Sequence, residues 1–238
     1  MPLIETILSP LLYKGRAIVD SHITIAVDIL RATTSLCAAF EAGATEVLPL
    51  TSLDELEYYR EQGYMLAAER GGKKIGDAEC GNSPTEYMKM NLHGKRLAYS
   101  TTNGTVAIQM ASKSSKTFIG SFANISALVN KIRQNYTDLV ILCSGWEGSA
   151  SLEDTLFCGA LASRLIEHGD YVASDDATTM AMELWNDAKD NLYKYCCKAT
   201  HVHRLQKLHY DHDIIFALQC DTCSVTPFID KGSHTITL

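Results

Sequence analysis

Four stretches of the sequence begin as apolar runs typical of buried strands and then change to small polar or charged residues. The first, ITIAVDILRATTS, places Asp28 and Arg31 directly after the apolar run Ile23–Val27. The others are LAYSTTNGTVA, TFIGSFANISA and VILCSGWEGSASLED. In an open parallel sheet, ligands bind at the carboxyl ends of the strands, where the loops converge on one edge. The four stretches therefore predict one shared polar pocket.

The residue types in these loops favour binding of an anion beside a metal ion. Hydroxyl groups, asparagine amides and the backbone N–H groups at helix N-termini bind phosphate. Arg31 and Arg70 can add bidentate contacts to phosphate, carboxylate or sulfonate. Nearby carboxylates would repel that anion unless a cation such as Mg²⁺ mediates. These acids are Asp28, Glu69, Glu153 and Asp154. The combination predicts metal-assisted phosphoryl chemistry.

Each of these signals also has a simpler structural explanation. Asp28 could cap the following helix, as acids often do. Glu153 and Asp154 fall in the first turn of a predicted helix, where the helix dipole alone favours acids. The TTNG sequence at 101–104 is typical of a turn, and the acid–base pair at 69–70 could be a solvated ion pair. The functional interpretation depends on the convergence of all four stretches.

The common phosphate-binding and nucleophile motifs are missing from the sequence. It has no P-loop, no dinucleotide-binding G-x-G-x-x-G after a strand, and no G-x-S-x-G elbow. VDILR has one acid after its strand, whereas aspartyl-phosphate phosphatases have a D-x-D pair. The histidine-rich THVHRLQKLHYDHD lacks the spacing of a zinc site and predicts a partly exposed helix.

Charge and composition limit the possible partners. The chain has 238 residues, a formal net charge of -7 and no long basic run. Nucleic-acid binding needs clustered lysine and arginine, so nucleic acid is not expected as a partner. The negative charge also disfavours an anionic membrane surface, and no apolar stretch approaches the roughly 20 residues that cross a bilayer. A homo-oligomer is compatible with the sequence.

The cysteines and the N-terminus predict a cytoplasmic protein. Several of the eight cysteines lie in apolar runs such as TSLCAAF and VILCSG, which favours reduced thiols that pack as small hydrophobic groups. Cys196-Cys197 and the pair Cys220 and Cys223 could supply four thiolates to zinc, but structural zinc sites usually have two C-x-x-C knuckles. The N-terminal MPLIETILSPLLYKGR, with its early Glu5, is a poor signal peptide.

The elements that must position these residues alternate between strand and helix. Strands are predicted at 23–29, 46–50, 64–68, 96–100, 117–120 and 139–144, with two closing strands in SVTPFI and SHTITL. Helices are predicted at 34–41, 52–63, 83–90 and 151–168, followed by a mostly helical region to about residue 213. This alternation predicts a layered α/β/α fold with a mainly parallel or mixed sheet. We expect one domain over 1–238, with a smaller C-terminal subdomain possible from about residue 170.

Taken in order, five motifs resemble the 2-phosphosulfolactate phosphatase (ComB-type) family. They are VDILRATTS, AAERGGKKIGDAECGNSPTEY, GKRLAYSTTNGTVAI, IGSFANISAL and CSGWEGSASLEDTLFCGAL, with a weaker match from THVHRLQKL to TPF. The resemblance covers nearly the whole chain. It implies an α/β fold specific to the family and a Mg²⁺-dependent hydrolysis of 2-phosphosulfolactate to sulfolactate and phosphate, a step in coenzyme M biosynthesis.

The resemblance also implies a role for residues in each motif. The implied catalytic residues are Asp28, Arg31, Glu69 and Arg70, and the implied substrate-binding residues are Asn82, Ser83, Thr101, Thr102, Asn103, Ser121, Asn124 and Gly145. The implied Mg²⁺ ligands are Asp28 and one or both of Glu153 and Asp154. In this hypothesis Arg31 and the TTNG and SFAN loops bind the phosphoryl oxygens, while Arg70 faces a carboxylate or sulfonate. Either water or Asp28 is the nucleophile.

Two other functions fit the same residues. One is a phosphatase that acts on a different small phosphorylated hydroxy acid. The other is a non-catalytic protein that binds a small anion at the same strand ends. Four carboxylates beside an anion pocket make sense chiefly when a metal is present, which favours the enzyme over the binding protein.

Overall fold

The computed structural model describes residues 1–13 and 22–238. Its strands are β1 (Leu3–Ile7), β2 (Ile23–Val27), β3 (Glu46–Pro49), β4 (Met65–Arg70), β5 (Lys73–Lys74), β6 (Arg96–Ser100), β7 (Lys116–Gly120), β8 (Leu139–Cys143), β9 (Val172–Ala173) and β10 (Phe228–Asp230). Its α-helices are α1 (Pro10–Tyr13), α2 (Ala32–Glu41), α3 (Leu56–Glu61), α4 (Pro84–Tyr87), α5 (Gly104–Ala111), α6 (Ile125–Asn135), α7 (Leu152–Glu167), α8 (Asp176–Ala188), α9 (Leu192–Cys196), α10 (Thr200–Lys207) and α11 (Asp211–Ala217). Short 3₁₀ helices occur at Phe122–Asn124 and Lys189–Asn191.

In the described residues the strands form two sheets. The larger sheet has the order β10-β7-β2-β8-β1-β9, and all its neighbours are parallel except β10 and β7. The smaller sheet has the order β3-β6-β4-β5, in which β5 returns antiparallel to β4 as a hairpin. Three of the four strands with polar ends, β7, β2 and β8, are adjacent in the larger sheet. The fourth, β6, belongs to the smaller one.

β2 is the central strand of the larger sheet, and all five of its residues are buried. Its side chains alternate between the two faces, as the pleat of a strand requires. Ile25 packs in a cluster with Leu156 of α7, whereas Ala26 packs in a second cluster with Leu36 of α2. Helices therefore cover both faces, which explains why the strand reads as a continuous apolar run.

The second hydrophobic cluster joins the two sheets. It contains Ile119 and Leu142 from the larger sheet and Leu97 and Tyr99 from β6 of the smaller one. Leu36 of α2 belongs to the same cluster, so α2 lies where the two sheets meet. The carboxyl ends of β2 and β6 are thereby held close together.

The structure confirms the predicted layered α/β/α class, with differences in single elements. The N-terminal stretch considered above as a signal peptide contains β1, which lies between β8 and β9; its last three residues fall outside the described part. The predicted helix at 52–63 begins only at Leu56, because Ser52 Oγ accepts from Asp54 N instead of closing a capping box. SHTITL forms isolated bridges at Ile236 and Thr237 in place of a strand. The C-terminal subdomain stays a prediction.

Six of the eight cysteines are buried and pack as hydrophobic groups, whereas Cys197 is half-buried and Cys220 is exposed. All eight lie in the described residues and are free thiols. Cys196 and Cys223, considered above as zinc ligands, are buried in two different hydrophobic clusters. Among residues 1–13 and 22–238, no helix combines the length and the apolar character that crossing a membrane requires.

The contact between α7 and α8 depends on Gly159. A Cβ atom at this position would lie 2.0 Å from the carbonyl oxygen of Ala181 and 2.8 Å from Cβ of Trp185. The absence of a side chain lets the two helices approach closely and brings the N-terminal turn of α7 to its place beside β2.

We expect Gly159→Ala to lower the free energy of unfolding by about 2 kcal/mol, because overpacking of a helix contact outweighs the better helix propensity of alanine. Urea unfolding followed by circular dichroism measures the change. Ser163→Ala, at a half-buried position of the same helix, is the control and should stay within about 0.5 kcal/mol of the wild type. A neutral or stabilising Gly159→Ala would contradict the described packing.

Candidate active site

A small, partly open cavity lies at the carboxyl ends of β2 and β6. Both sheets contribute to it, and α10 forms one of its walls. The lining residues are Asp28, Leu30, Arg31, Glu69, Gly72, Asn82, Thr101, Thr102, Asn103, Trp146, His201, Arg204 and Leu205.

Asp28 is the first residue after β2 and is 7% exposed. Its Oδ1 accepts a hydrogen bond from the backbone N–H of Ala32 at 3.1 Å, so it does help to cap α2. Its Oδ2 lies against the N-terminus of α5, because a Cβ on Gly104 would be 2.8 Å from that oxygen. Only glycine fits there, and the close approach brings the TTNG loop onto the carboxylate.

Asp154, in the first turn of α7, connects three segments of the site. Its Oδ1 accepts from the backbone N–H of Ile29 at 2.9 Å, and its Oδ2 accepts from the backbone N–H of Gly145 at 3.2 Å and from Ser144 Oγ at 3.3 Å. The helix dipole explains an acid at this position only in part. The carboxylate ties the loops after β2 and β8 to α7 and so fixes the place of Asp28.

Glu153 is buried beside Asp154 and faces α10. Its Oε1 lies 2.9 Å from Nδ1 of His201, and its Oε2 has no hydrogen-bond partner among the described residues. His201 lines the cavity, whereas Glu153 does not, and the His201 ring stacks on Trp146 with ring centroids 4.5 Å apart. One oxygen of Glu153 therefore remains available to a ligand.

Burial makes two of these acids, Asp28 and Asp154, harder to ionise. Desolvation raises the pKa of Asp28 to about 6, against the lowering effects of His201 and the Ala32 N–H. Desolvation, followed by the charges of Glu153 and Asp28, raises the pKa of Asp154 well above its usual range. In the described residues no lysine or arginine forms an ion pair with any of the three acids.

Arg31 lines the cavity but already has a partner. Its Nη1 donates to Oδ2 of Asp213 at 2.7 Å, and both side chains are 2% exposed. Its Nη2 donates to the carbonyl of Gly72 at 2.9 Å, and the guanidinium lies 4.0 Å from the ring centroid of Tyr210. Asp213 also accepts from Ser83 Oγ at 2.7 Å. Ser83 thus supports Arg31 and does not line the cavity.

The acid and base at 69–70 point in different directions. Glu69 lines the cavity, and its Oε1 accepts from the backbone N–H of Gly72 and from Thr102 Oγ1. Arg70 is not among the cavity residues; it donates to the carbonyl of Glu69 and to Ser100 Oγ at 2.9 Å. The two side chains do not form the solvated ion pair considered above.

The other predicted substrate-binding residues divide into two groups. Asn82, Thr101, Thr102 and Asn103 line the cavity, and Thr101 Oγ1 is buried without a partner in the described residues. Ser121 and Asn124 lie outside it. They form a capping box after β7, and Asn124 Nδ2 donates to the carbonyls of Ile119 and Val225. Gly145 lies outside the cavity lining and holds Asp154 through its N–H.

Sequence reasoning missed residues from the C-terminal half. Trp146, His201 and Arg204 line the cavity, and Asp213 holds Arg31. The histidine-rich segment predicts a partly exposed helix, and α10 is partly exposed. One side of this helix, however, lines the cavity. The weak family match through THVHRLQKL was the signal that could have identified these residues.

Comparison with known proteins identifies the family. A family model described as 2-phosphosulpholactate phosphatase matches residues 8–232. The chain belongs to this family. A relative named probable 2-phosphosulfolactate phosphatase, from Caldanaerobacter subterraneus subsp. tengcongensis, is 32% identical over 212 residues, which cover 87% of this chain and 88% of the relative.

Cyanobacterial relatives support the same membership. Proteins with the same name from Trichormus variabilis and Prochlorococcus marinus are each 36% identical, over 212 and 216 residues; these cover 85% and 86% of this chain and 86% and 87% of the relatives. Membership in the 2-phosphosulpholactate phosphatase family confirms the predicted family and the predicted enzyme class, a phosphoric monoester hydrolase.

The donor set of this family member is compatible with Mg²⁺. Among residues 1–13 and 22–238, no group of three or more His, Cys, Asp or Glu side chains is arranged to hold a metal. Mg²⁺ often uses only one or two carboxylates and completes its shell with water and substrate phosphate. Asp28 and the unpartnered Oε2 of Glu153 meet that need, whereas both oxygens of Asp154 already accept hydrogen bonds. The metal stays a prediction.

The raised pKa of Asp28 predicts how the stability of metal-free protein changes with pH. Its pKa is about 6 in the folded protein and about 3.9 in an unfolded chain, so folding favours the protonated form. The resulting contribution of Asp28 to the free energy of unfolding is fully present below about pH 4 and is lost as the pH rises through about 6. Relative to Asp28→Asn, which cannot ionise, the wild type should lose about 3 kcal/mol of unfolding free energy between pH 4 and pH 7.5.

Urea unfolding of both proteins in the presence of a chelator measures this difference. If the unfolding free energies of the wild type and Asp28→Asn change in parallel across the pH range, Asp28 is not desolvated as described.

Proposed function

We propose that this chain is a Mg²⁺-dependent phosphatase that hydrolyses 2-phosphosulfolactate to sulfolactate and phosphate. One observation carries the proposal: the buried Asp28 lines the same cavity as the unpartnered hydroxyl of Thr101, in a member of a family named for this activity. The resemblance described above implies a step in coenzyme M biosynthesis, and we extend that expectation to this chain as part of the proposal.

The phosphoryl group is proposed to bind between Asp28 and the TTNG loop. Thr101 Oγ1 is a buried hydrogen-bond donor with no partner in the described residues, so a phosphoryl oxygen would satisfy it. Asn103 lines the same wall, directly before the N-terminus of α5. Backbone N–H groups and the dipole at such a terminus favour a phosphate.

Arg31 is proposed to line the phosphoryl site as a fixed donor. Its ion pair with Asp213 cancels most of its net charge but holds the guanidinium in one position. A planar group with five N–H donors keeps some of them available for the cavity after binding Asp213 and the Gly72 carbonyl. Such pre-organisation favours a transition state because no reorientation is needed during the reaction.

Asp28 and Glu153 are the residues that would hold Mg²⁺. When bound, the metal would neutralise negative charge that develops on the phosphoryl oxygens. Asp154 keeps the loop that carries Asp28 attached to α7, and His201 orients Glu153 through Oε1, which leaves Oε2 without a hydrogen-bond partner in the described residues. No lysine or arginine of the described residues pairs with the three acids, so their burial would favour binding of a divalent cation.

We expect Asp28→Asn to lower kcat for Mg²⁺-dependent release of phosphate from 2-phosphosulfolactate by at least about 10²-fold, since it removes the carboxylate closest to the phosphoryl site. Asp77→Asn is the matched control, because Asp77 is 82% exposed and pairs with Arg60 away from the cavity. Circular dichroism checks that both variants fold.

Full turnover by Asp28→Asn would contradict the role given to Asp28. If the wild type releases phosphate only from another small phosphorylated hydroxy acid, the proposed substrate is wrong and the proposed phosphatase reaction stands. Tight binding of such compounds with no release of phosphate would identify an anion-binding protein.

A further inference from the structure

The second arginine of the cavity differs from the first in having no acidic partner. Arg204 extends from α10 and lines the cavity. Its guanidinium lies 4.3 Å from the ring centroid of Trp146, and no carboxylate of the described residues is within ion-pair distance of it. Arg31, in contrast, is neutralised by Asp213. The positive charge of Arg204 is therefore available to a ligand.

Arg204 is close to the phosphoryl site. A Cβ atom on Gly72 would lie 3.8 Å from its Nη2, and the carbonyl of the same glycine accepts from Arg31. Gly71 and Gly72 both have positive φ and form the turn between β4 and β5. The two guanidinium groups are therefore next to one turn, one charge-balanced and one not, which suits a ligand that carries two anionic groups.

The tryptophan fixes the orientation of this guanidinium. A guanidinium stacked on an aromatic face keeps its N–H groups pointing outward along its edges, where they can bind a carboxylate or sulfonate with two hydrogen bonds. Trp146 is itself stacked on His201, so its ring is held by two neighbours. Arg70, to which the sequence hypothesis gave this contact, is bonded to Ser100 and lies outside the cavity lining.

We propose that Arg204 determines substrate specificity by binding the second anionic group of the substrate, either a carboxylate bonded to the ester carbon or a sulfonate one carbon further away. This inference rests on the proposed function, because it concerns how the protein binds the part of the substrate that is not cleaved in the proposed hydrolysis. Trp146 is a positioning residue in this account.

The test compares four esters with wild-type protein, Arg204→Gln and Arg204→Lys. 2-Phosphosulfolactate carries both anionic groups, 2-phospholactate carries only the carboxylate, 2-sulfoethyl phosphate carries only the sulfonate, and ethyl phosphate carries neither. Lys207→Gln, an exposed cation on the same helix, controls for a general loss of positive charge. Its kcat/KM values should match those of the wild type.

Arg204→Gln should lower kcat/KM about 10²-fold for the ester or esters whose second anion it binds, mainly through KM, and change ethyl phosphate by less than about threefold. Arg204→Lys should recover part of the loss, since lysine keeps the charge without the fork. Carboxylate and sulfonate recognition are distinguished by whether 2-phospholactate or 2-sulfoethyl phosphate shows the loss. An equal loss on all four esters, or no loss on any, would overturn the proposal.

Calorimetric binding of sulfolactate provides a readout that needs no turnover. Arg204→Gln should weaken sulfolactate at least tenfold and leave the affinity for inorganic phosphate unchanged. If the wild type hydrolyses none of the esters yet binds sulfolactate in an Arg204-dependent way, the proposed function fails and the anion site stands. If sulfolactate binds equally to both proteins, the role of Arg204 is wrong whatever the activity.

Discussion

The burial of three neighbouring carboxylates, Asp28, Glu153 and Asp154, is the constraint on which the rest of the site depends. Removing ionised acids from water is costly, and desolvation is the main cause that raises the pKa of both Asp28 and Asp154, with the charge of Glu153 adding to each. The protein offsets this with backbone N–H donors to Asp28 and Asp154 and with His201 on Glu153. No lysine or arginine pairs with them in the described residues. The proposed divalent cation would complete this balance.

The fold assembles the site around these acids by joining two sheets and the C-terminal helices. The shared hydrophobic cluster places the carboxyl end of β6 beside that of β2, so Thr101 and Asp28 line the same cavity. The α10 and α11 helices then supply Arg204 and Asp213, which give the cavity one free and one neutralised guanidinium. The polar residues at the strand ends therefore form the cavity only when both sheets and the C-terminal helices are packed together.

The sequence predicted the α/β/α class and much of the Asp28 side of the cavity, because buried parallel strands are apolar throughout and a polar residue at their end is conspicuous. It did not separate ligand-facing polar residues from structural ones: Ser121 and Asn124 follow β7 with the same pattern, yet they cap the next helix. The partnership of Arg31 with Asp213 joins residues 182 positions apart, which no local pattern contains. The residue pattern of the short α10 segment likewise could not show that one side of this helix faces the site.

The most direct test of the account is a crystal structure of the protein grown with Mg²⁺ and vanadate as a phosphate analogue. We expect metal density bonded to an oxygen of Asp28 and to Oε2 of Glu153, with vanadate oxygen within hydrogen-bond distance of the Thr101 hydroxyl. Metal or vanadate bound elsewhere, with Glu153 Oε2 still unpartnered, would contradict the claim that this cluster of buried acids is a cation-dependent phosphoryl site.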